Sequence, residues 1–277
     1  NSIEELAENY NIVKQEAKTS FSDDDIYMEK YIQNPRHIEV QILADEYGNV
    51  VHLGERDCTI QRKHQKVVEE SPSNVIDNKL RSKLGESAIK AAKVANYTNA
   101  GTVEFLVDKD KNFYFMEMNT RIQVEHPITE ENTGIDLIKE QIRIAAGEEL
   151  RFKQNKIEII GHSIECRINA ENPSKNFRPS PGKITGLNIP GGNGIRVDTA
   201  IYEGYTIPPT YDSMLAKIIA HGNTRNEAIA KMKRALEELV IDGVETNIEF
   251  VYNIITNLNF IRGKYDTSFI EEKIMKG

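Results

Sequence analysis

Apolar and polar positions alternate most strictly in MEMNTRIQVEH, residues 116–126, where Met116, Met118, Ile122 and Val124 fall between Glu117, Asn119, Arg121, Gln123 and Glu125. Thr120 is the exception. A period of two predicts an extended segment with the apolar set in a core and the polar set outward. YMEKYI (27–32), HIEVQILAD (37–45) and NVVHLGERD (49–57) predict strands, the last two joined at EYGN into a hairpin. GTVEFLVD and NFYFMEMN flank the polar tip KDK (109–111) and predict a second hairpin. IEIIGHSIECRINAE, GKITGLNI and GIRVDTA, from residue 157 onward, predict further strands, with PSPG and PGGNG as turns. Helical spacing predicts helices over 2–18, with Ser2 and Glu5 in capping-box register, over 77–95 behind Asp77, and over 135–146 up to Gly147. Two amphipathic helices at 224–240 and 246–257 and a shorter one from 267 complete the chain. Antiparallel hairpins with interspersed helices, and no run of βαβ units, indicate an α+β class.

A length of 277 residues with 39% hydrophobic and 28% charged positions suffices for a substantial core, in two closely joined units. With 43 acidic and 35 basic residues the net charge is −8, which disfavours nucleic acid and anionic membranes as partners. An anionic substrate therefore needs a local basic cluster. Cys58 and Cys166 stand far apart, so neither a disulfide framework nor a zinc site is expected and a reducing cytoplasm fits best. No apolar run reaches the ~20 residues of a membrane helix. The start, NSIEELAENY, has no initiator Met and suggests a piece of something larger.

Three constellations carry candidate chemistry. With the second hairpin centred between Asp110 and Lys111, Glu104 faces Glu117, and such a like-charged pair calls for a cation between them. Asn119, two residues on, completes a hard-oxygen set suited to Mg²⁺ or Mn²⁺; the alternative is a solvated face with the carboxylates held apart. The stretch 55–70, ERDCTIQRKHQKVVEE, gathers Arg56, Arg62, Lys63, His64 and Lys66, either as anion donors with Gln61 or as a solvated loop balanced by Glu69 and Glu70. Arg167 stands in an otherwise apolar strand, which implies a buried salt bridge or a substrate clamp. PGGNG resembles a phosphate loop only superficially, since no helix follows it.

YMEKYIQNPRHIEVQ, GERDCTIQRKHQKVVEE, GTVEF, MEMNTRIQVEHPITE, ECRINAENP, FRPSPGKI and PPTYDSM, in this order and across nearly the whole chain, resemble the biotin carboxylase component of bacterial acetyl-CoA carboxylase. The related modules of pyruvate and propionyl-CoA carboxylases share most of these motifs. The resemblance implies an ATP-grasp large domain with an antiparallel sheet (32–156), preceded by the tail of a lid domain (1–31) and followed by a biotin carboxylase C-terminal domain (157–277). It implies that MgATP phosphorylates bicarbonate and that the carboxyl group passes to N1′ of biotin on a biotin carboxyl carrier protein. A homodimer working with carboxyltransferase subunits in fatty acid synthesis is implied too. Carried over residue by residue, Glu29, Lys30, Ile32 and Leu106 would line the adenine pocket, and His37, Gln61 and His64 the ribose and phosphate side. Glu104, Glu117 and Asn119 would hold the metal; Lys66, Arg121, Gln123, Val124 and Glu125 would surround bicarbonate, with Glu125 as general base. Arg167 would stabilise the enolate-like oxygen of the ureido ring.

Nothing in the chain corresponds to the family's N-terminal domain or to the glycine-rich loop of its lid, so weak MgATP binding and negligible turnover are expected, and a silent dimerisation or carrier-binding piece is the competing reading. Fully extended, Glu117 to Glu125 would cover about 26 Å at roughly 3.3 Å per residue, too far for one small substrate. A bend near Thr120 is therefore expected.

Overall fold

A computed structural model describes residues 2–275. The chain divides into two compact units, residues 1–33 and 34–277. The first holds helix α1 (Ile3–Phe21), whose Ser2 side chain accepts from the Glu5 amide as the capping spacing requires. Residues 22–33 carry no helix or strand. Residues 27–32, expected as a strand, form none: their unit offers a helix and no strand to take up their backbone groups.

The second unit is built on one antiparallel sheet. Its strands are β1 (Arg36–Ala44), β2 (Val50–Arg62), β3 (Gln65–Ser71), β4 (Asn99–Val107), β5 (Phe113–Asn119), β6 (His162–Asn169), β7 (Ile195–Thr199) and β8 (Met214–Gly222). They stand in the order β7-β8-β6-β3-β2-β1-β4-β5. Both expected hairpins are present. The sheet runs without a break through β3 and β6, so it spans residue 156. GKITGLNI supplies only the short strands Gly182–Lys183 and Gly186–Asn188, and residues 157–161 carry none.

Helix α2 (Asn78–Val94) starts at Asp77, whose carboxylate accepts from Leu80, and packs Leu80, Leu84, Ala88 and Ala92 on the core of β1 and β4. Helices α3 (His126–Thr133) and α4 (Leu137–Ala145) follow β5. Helices α5 (Arg225–Glu238) and α6 (Ile248–Thr256) cover the other end of the sheet, where Met232, Leu236, Val251 and Ile254 close a second core over Ile164, Cys166 and Ile168. The short helix expected from residue 267 is a single wide turn, Ile270–Ile274.

The pattern of residues 55–70 misled most. They form the end of β2, a two-residue turn and β3, with Lys63 and His64 at φ 47° and 63°, the left-handed pair that closes a tight hairpin. Glu69 and Glu70 are buried, the first paired with Arg167 and the second with His162 and Arg225. β8 and α3 were not anticipated at all.

Candidate active site

Directly opposed residues draw a charged row across the sheet: Glu117 on β5 faces Glu104 on β4, Glu104 faces Glu39 on β1, and Glu39 faces Arg56 on β2. The Glu104–Glu117 pairing arises in an unforeseen way. Near the tip Phe105 pairs with Phe115 and Val107 with Phe113, one residue out of the expected register, and an irregularity beside Glu104 restores it. Arg56 is wholly buried and every donor is used. Its Nε reaches Glu39 Oε1 (2.5 Å), one terminal nitrogen Gln41 and Thr129 (2.7 and 3.0 Å), the other Thr102 and Gln123 (3.1 and 3.0 Å).

The tight β2–β3 turn folds Lys66 back over this row. Its Nζ donates to Glu39 Oε2 (2.5 Å), Glu125 Oε1 (2.6 Å) and Glu104 Oε1 (3.1 Å). Burial alone would raise Glu39 and Glu104, yet Arg56 and Lys66 hold Glu39 at about 2, and His37 and Lys66 hold Glu104 at about 2. His37 Nε2 lies 2.8 Å from Glu104 Oε2.

β5 ends at Asn119, and the chain turns away through residues 120–125 into α3, the bend expected near Thr120. The expected burial is reversed at three positions of this run: Met116 is 45% exposed, whereas Gln123 and Glu125 are 5% and 1% exposed. An edge strand leaves Met116 uncovered, while the turned segment drives its polar side chains into a site that satisfies them. Gln123 donates to Glu104 (2.9 Å), and Glu125 lies between Lys66 and Arg167, whose terminal nitrogen is 3.0 Å from Glu125 Oε2. Arg167 also grips Glu69 Oε1 through Nε at 2.6 Å. The buried salt bridge expected of Arg167 is therefore present.

These groups wall a cavity of about 620 Å³. Of the expected site residues, His37, His64, Lys66, Glu104, Glu117, Asn119, Arg121, Gln123, Val124, Glu125 and Arg167 line it. Gln61 stands behind them, its amide 2.7 Å from His37 Nδ1, and Leu106 is the cross-strand neighbour of His37. Glu29, Lys30 and Ile32 belong to the first unit. Sequence reasoning missed the far wall: Asn169, Glu171, Asp212, Ser213, Asn247 and Phe250. Asn247 fixes this wall by donating to the Arg167 carbonyl (3.0 Å) and accepting from the Asn169 amide (2.7 Å). ECRINAENP and PPTYDSM contain four of these residues, whereas nothing local marks Asn247 or Phe250.

The donor set suits a hard divalent cation. Asn119 Nδ2 contacts Glu104 Oε1 (3.0 Å) and Glu117 Oε1 (3.2 Å), so one amide group alone separates two opposed carboxylates. Two carboxylates converge there, and Asn119, whose Oδ1 now accepts from Arg121 (3.3 Å), brings a third oxygen when its amide turns over, the chemistry Mg²⁺ selects.

Residues 1–153 match the family described as carbamoyl-phosphate synthase L chain, ATP binding domain, and residues 165–272 match the biotin carboxylase C-terminal domain. The chain belongs to the biotin carboxylase family. It is 58% identical to Biotin carboxylase 1 of Bacillus subtilis (strain 168) over 269 residues, 97% of this chain and 60% of that protein. It is also 58% identical to a pyruvate carboxylase subunit of Methanothermobacter thermautotrophicus over 256 residues, 92% of this chain and 52% of that one. The crystal structure of the Hydrogenobacter thermophilus 2-oxoglutarate carboxylase biotin carboxylase domain dimer, in complex with MgADP, ADP and bicarbonate, superposes with a TM-score of 0.92 at 52% identity, covering 97% of this chain and 59% of that one. The chain thus spans about 60% of the length of such biotin carboxylase relatives. The α+β architecture with its antiparallel sheet is the ATP-grasp biotin carboxylase fold.

Proposed function

We propose that this chain carries the bicarbonate and biotin side of an ATP-dependent biotin carboxylase, a ligase that carboxylates N1′ of biotin on a carrier protein. The observation that carries this reading is Glu125, buried at the cavity wall between Lys66 and Arg167, beside the Glu104–Glu117 pair. Arg121, Gln123 and the backbone at Val124 hold bicarbonate, and Glu125 takes its proton as the oxygen attacks the γ-phosphorus of ATP. ADP leaves and carboxyphosphate remains. The departing phosphate takes the N1′ proton as N1′ bonds the carboxyl carbon, while Arg167 balances the negative charge that develops on the ureido oxygen. Glu104, Glu117 and Asn119 would hold Mg²⁺, which neutralises phosphate charge when bound. Lys66 keeps Glu39, Glu104 and Glu125 from repelling one another, so the site stays assembled in either step.

His37, Gln61, His64 and Leu106 are assigned to the nucleotide. Residues 1–31 are read as lid tail, 32–156 as the ATP-grasp large domain and 157–277 as the C-terminal domain. A homodimer, a biotin carboxyl carrier protein and a carboxyltransferase are the partners; the dimeric Hydrogenobacter domain supports the first. The free, buried thiols of Cys58 and Cys166 support a cytoplasmic setting.

The test is bicarbonate-dependent ADP release with MgATP and free biotin, for this chain and for the chain extended to the full length of its Bacillus relative. Glu125→Gln in the extended protein is expected to lower turnover by at least ~100-fold. Negligible turnover in both lengths would refute the reading. The Methanothermobacter relative favours a second setting, pyruvate in place of acetyl-CoA as final acceptor. Reconstitution with each carboxyltransferase separates the two.

A further inference from the structure

Opposed carboxylates recur across this sheet, and each pair is relieved by something. Glu39 and Glu104 share the Lys66 ammonium; Glu104 and Glu117 share the Asn119 amide and face an open cavity that admits a cation. Asp57 and Glu70, also opposed, take Arg36 and Arg225, and a further pair has no such relief. Glu69 on β3 sits directly opposite Glu165 on β6, and both are fully buried. Directly opposed side chains have Cβ atoms about 4.5 to 5.5 Å apart. Glu69 Oε2 and both oxygens of Glu165 lack a hydrogen-bond partner.

The cations on this face are committed to oxygens other than the three orphaned ones. Arg167, two residues along from Glu165, binds Glu69 Oε1 and Glu125 Oε2. Lys217 on β8 binds the Val124 carbonyl (2.9 Å) and Asp198 (3.3 Å). The other titratable groups nearby are Lys66 on β3, bonded to Glu39, Glu104 and Glu125, Glu125 and His126 at the start of α3, and His221 on β8, bonded to Ser163. α3 covers the face, as the bond from Ser163 to Asn132 shows (2.7 Å), so no hydrated ion reaches it.

We propose that a proton relieves this last pair: Glu165 is held as the neutral acid and donates to Glu69 Oε2, leaving Glu69 Oε1 to anchor Arg167. Glu165 is then a positioning residue. One added proton satisfies two of the three orphaned oxygens. It also removes a negative charge that would otherwise draw Arg167 inward, away from Glu125 and the cavity. Burial and the neighbouring Glu69 push the Glu165 carboxyl well above its ordinary range, and burial also lifts Glu69 to about 7.

The role toward Arg167 rests on the biotin reading above; the proton itself does not, and its test needs no turnover. Infrared spectra of the whole chain at about pH 7.5 are expected to show a carboxylic acid carbonyl band that shifts in D₂O and disappears in Glu165→Gln. A neutral acid buried in the fold is stabilising below its unfolded pKa and loses that contribution as pH rises toward its folded value. Gln cannot titrate, so the urea midpoint of Glu165→Gln relative to wild type is expected to climb between about pH 5 and 8. The wild-type spectrum stands even if the variant folds poorly. A wild-type spectrum without that band, or a midpoint difference flat with pH, overturns the proposal.

Discussion

Replacing Arg56 by Met keeps volume in the core and removes the guanidinium. Glu39 Oε1 loses its 2.5 Å partner, while Gln41 Oε1 and Gln123 Oε1 lose donors at 2.7 and 3.0 Å. Gln41 cannot compensate by flipping, since its amide nitrogen already serves the carbonyls of Ile42 and Gly101. Stranding one member of a buried ion pair costs about 3–5 kcal/mol, and each orphaned acceptor about 1–3 more, not additively. Lys66 still holds Glu39 Oε2, which keeps the total near the lower end, about 5 kcal/mol. That is a large part of the roughly 5–15 kcal/mol by which domains are stable. Urea unfolding followed by far-UV circular dichroism should show the midpoint falling by about 2 M at a slope of about 2.5 kcal/mol per M. Removing the stranded charge as well, in Glu39→Gln/Arg56→Met, should recover a good part of the loss. A single-variant loss under ~1 kcal/mol, or a double variant no better than the single, would refute the reasoning.

Glu70→Gln tests the ion-pair cluster at the far side of β3. Against the upward pull of burial, His162 and Arg225 hold Glu70 at about 2, below the ordinary 4.5, and Tyr265 also donates to it. That shift is worth about 3 kcal/mol at neutral pH. Because the folded value is depressed, the contribution is present above about 4.5 and vanishes as pH falls toward 2, so the gap between wild type and variant in urea midpoint should close over that window. Glu117→Gln removes one carboxylate from the opposed pair. Mn²⁺ affinity, read by electron paramagnetic resonance, should drop at least ~10-fold with the unfolding midpoint little changed; unchanged affinity would separate Glu117 from the metal.

Local pattern alone carries several elements. The Ser2, Asp77 and Gly147 helix ends, the two hairpins and the bend at Thr120 depend on residues a few positions apart, where side-chain capping, turn chemistry and pleat period act directly. The pairing of Glu104 with Glu117 belongs here too, although the register near the tip is one residue out from the expected one and an irregularity beside Glu104 restores it. The lining of the cavity by Lys66, Glu125 and Arg167 was expected through resemblance to a family, not through spacing.

Tertiary structure decided the rest, because the deciding partners lie far along the chain. β3 reads as a charged loop until Glu69 meets Arg167, 98 residues away, and Glu70 meets Arg225, 155 away. In water those carboxylates mark a surface; beside a guanidinium they can sit in a strand buried on both faces. The same holds for Asn247 on the cavity's far wall and for Arg56, whose five bonds join four segments. Whether a given glutamate takes a lysine, a metal or a proton depends on which cation the fold brings within about 3 Å of it, and no local period encodes that distance.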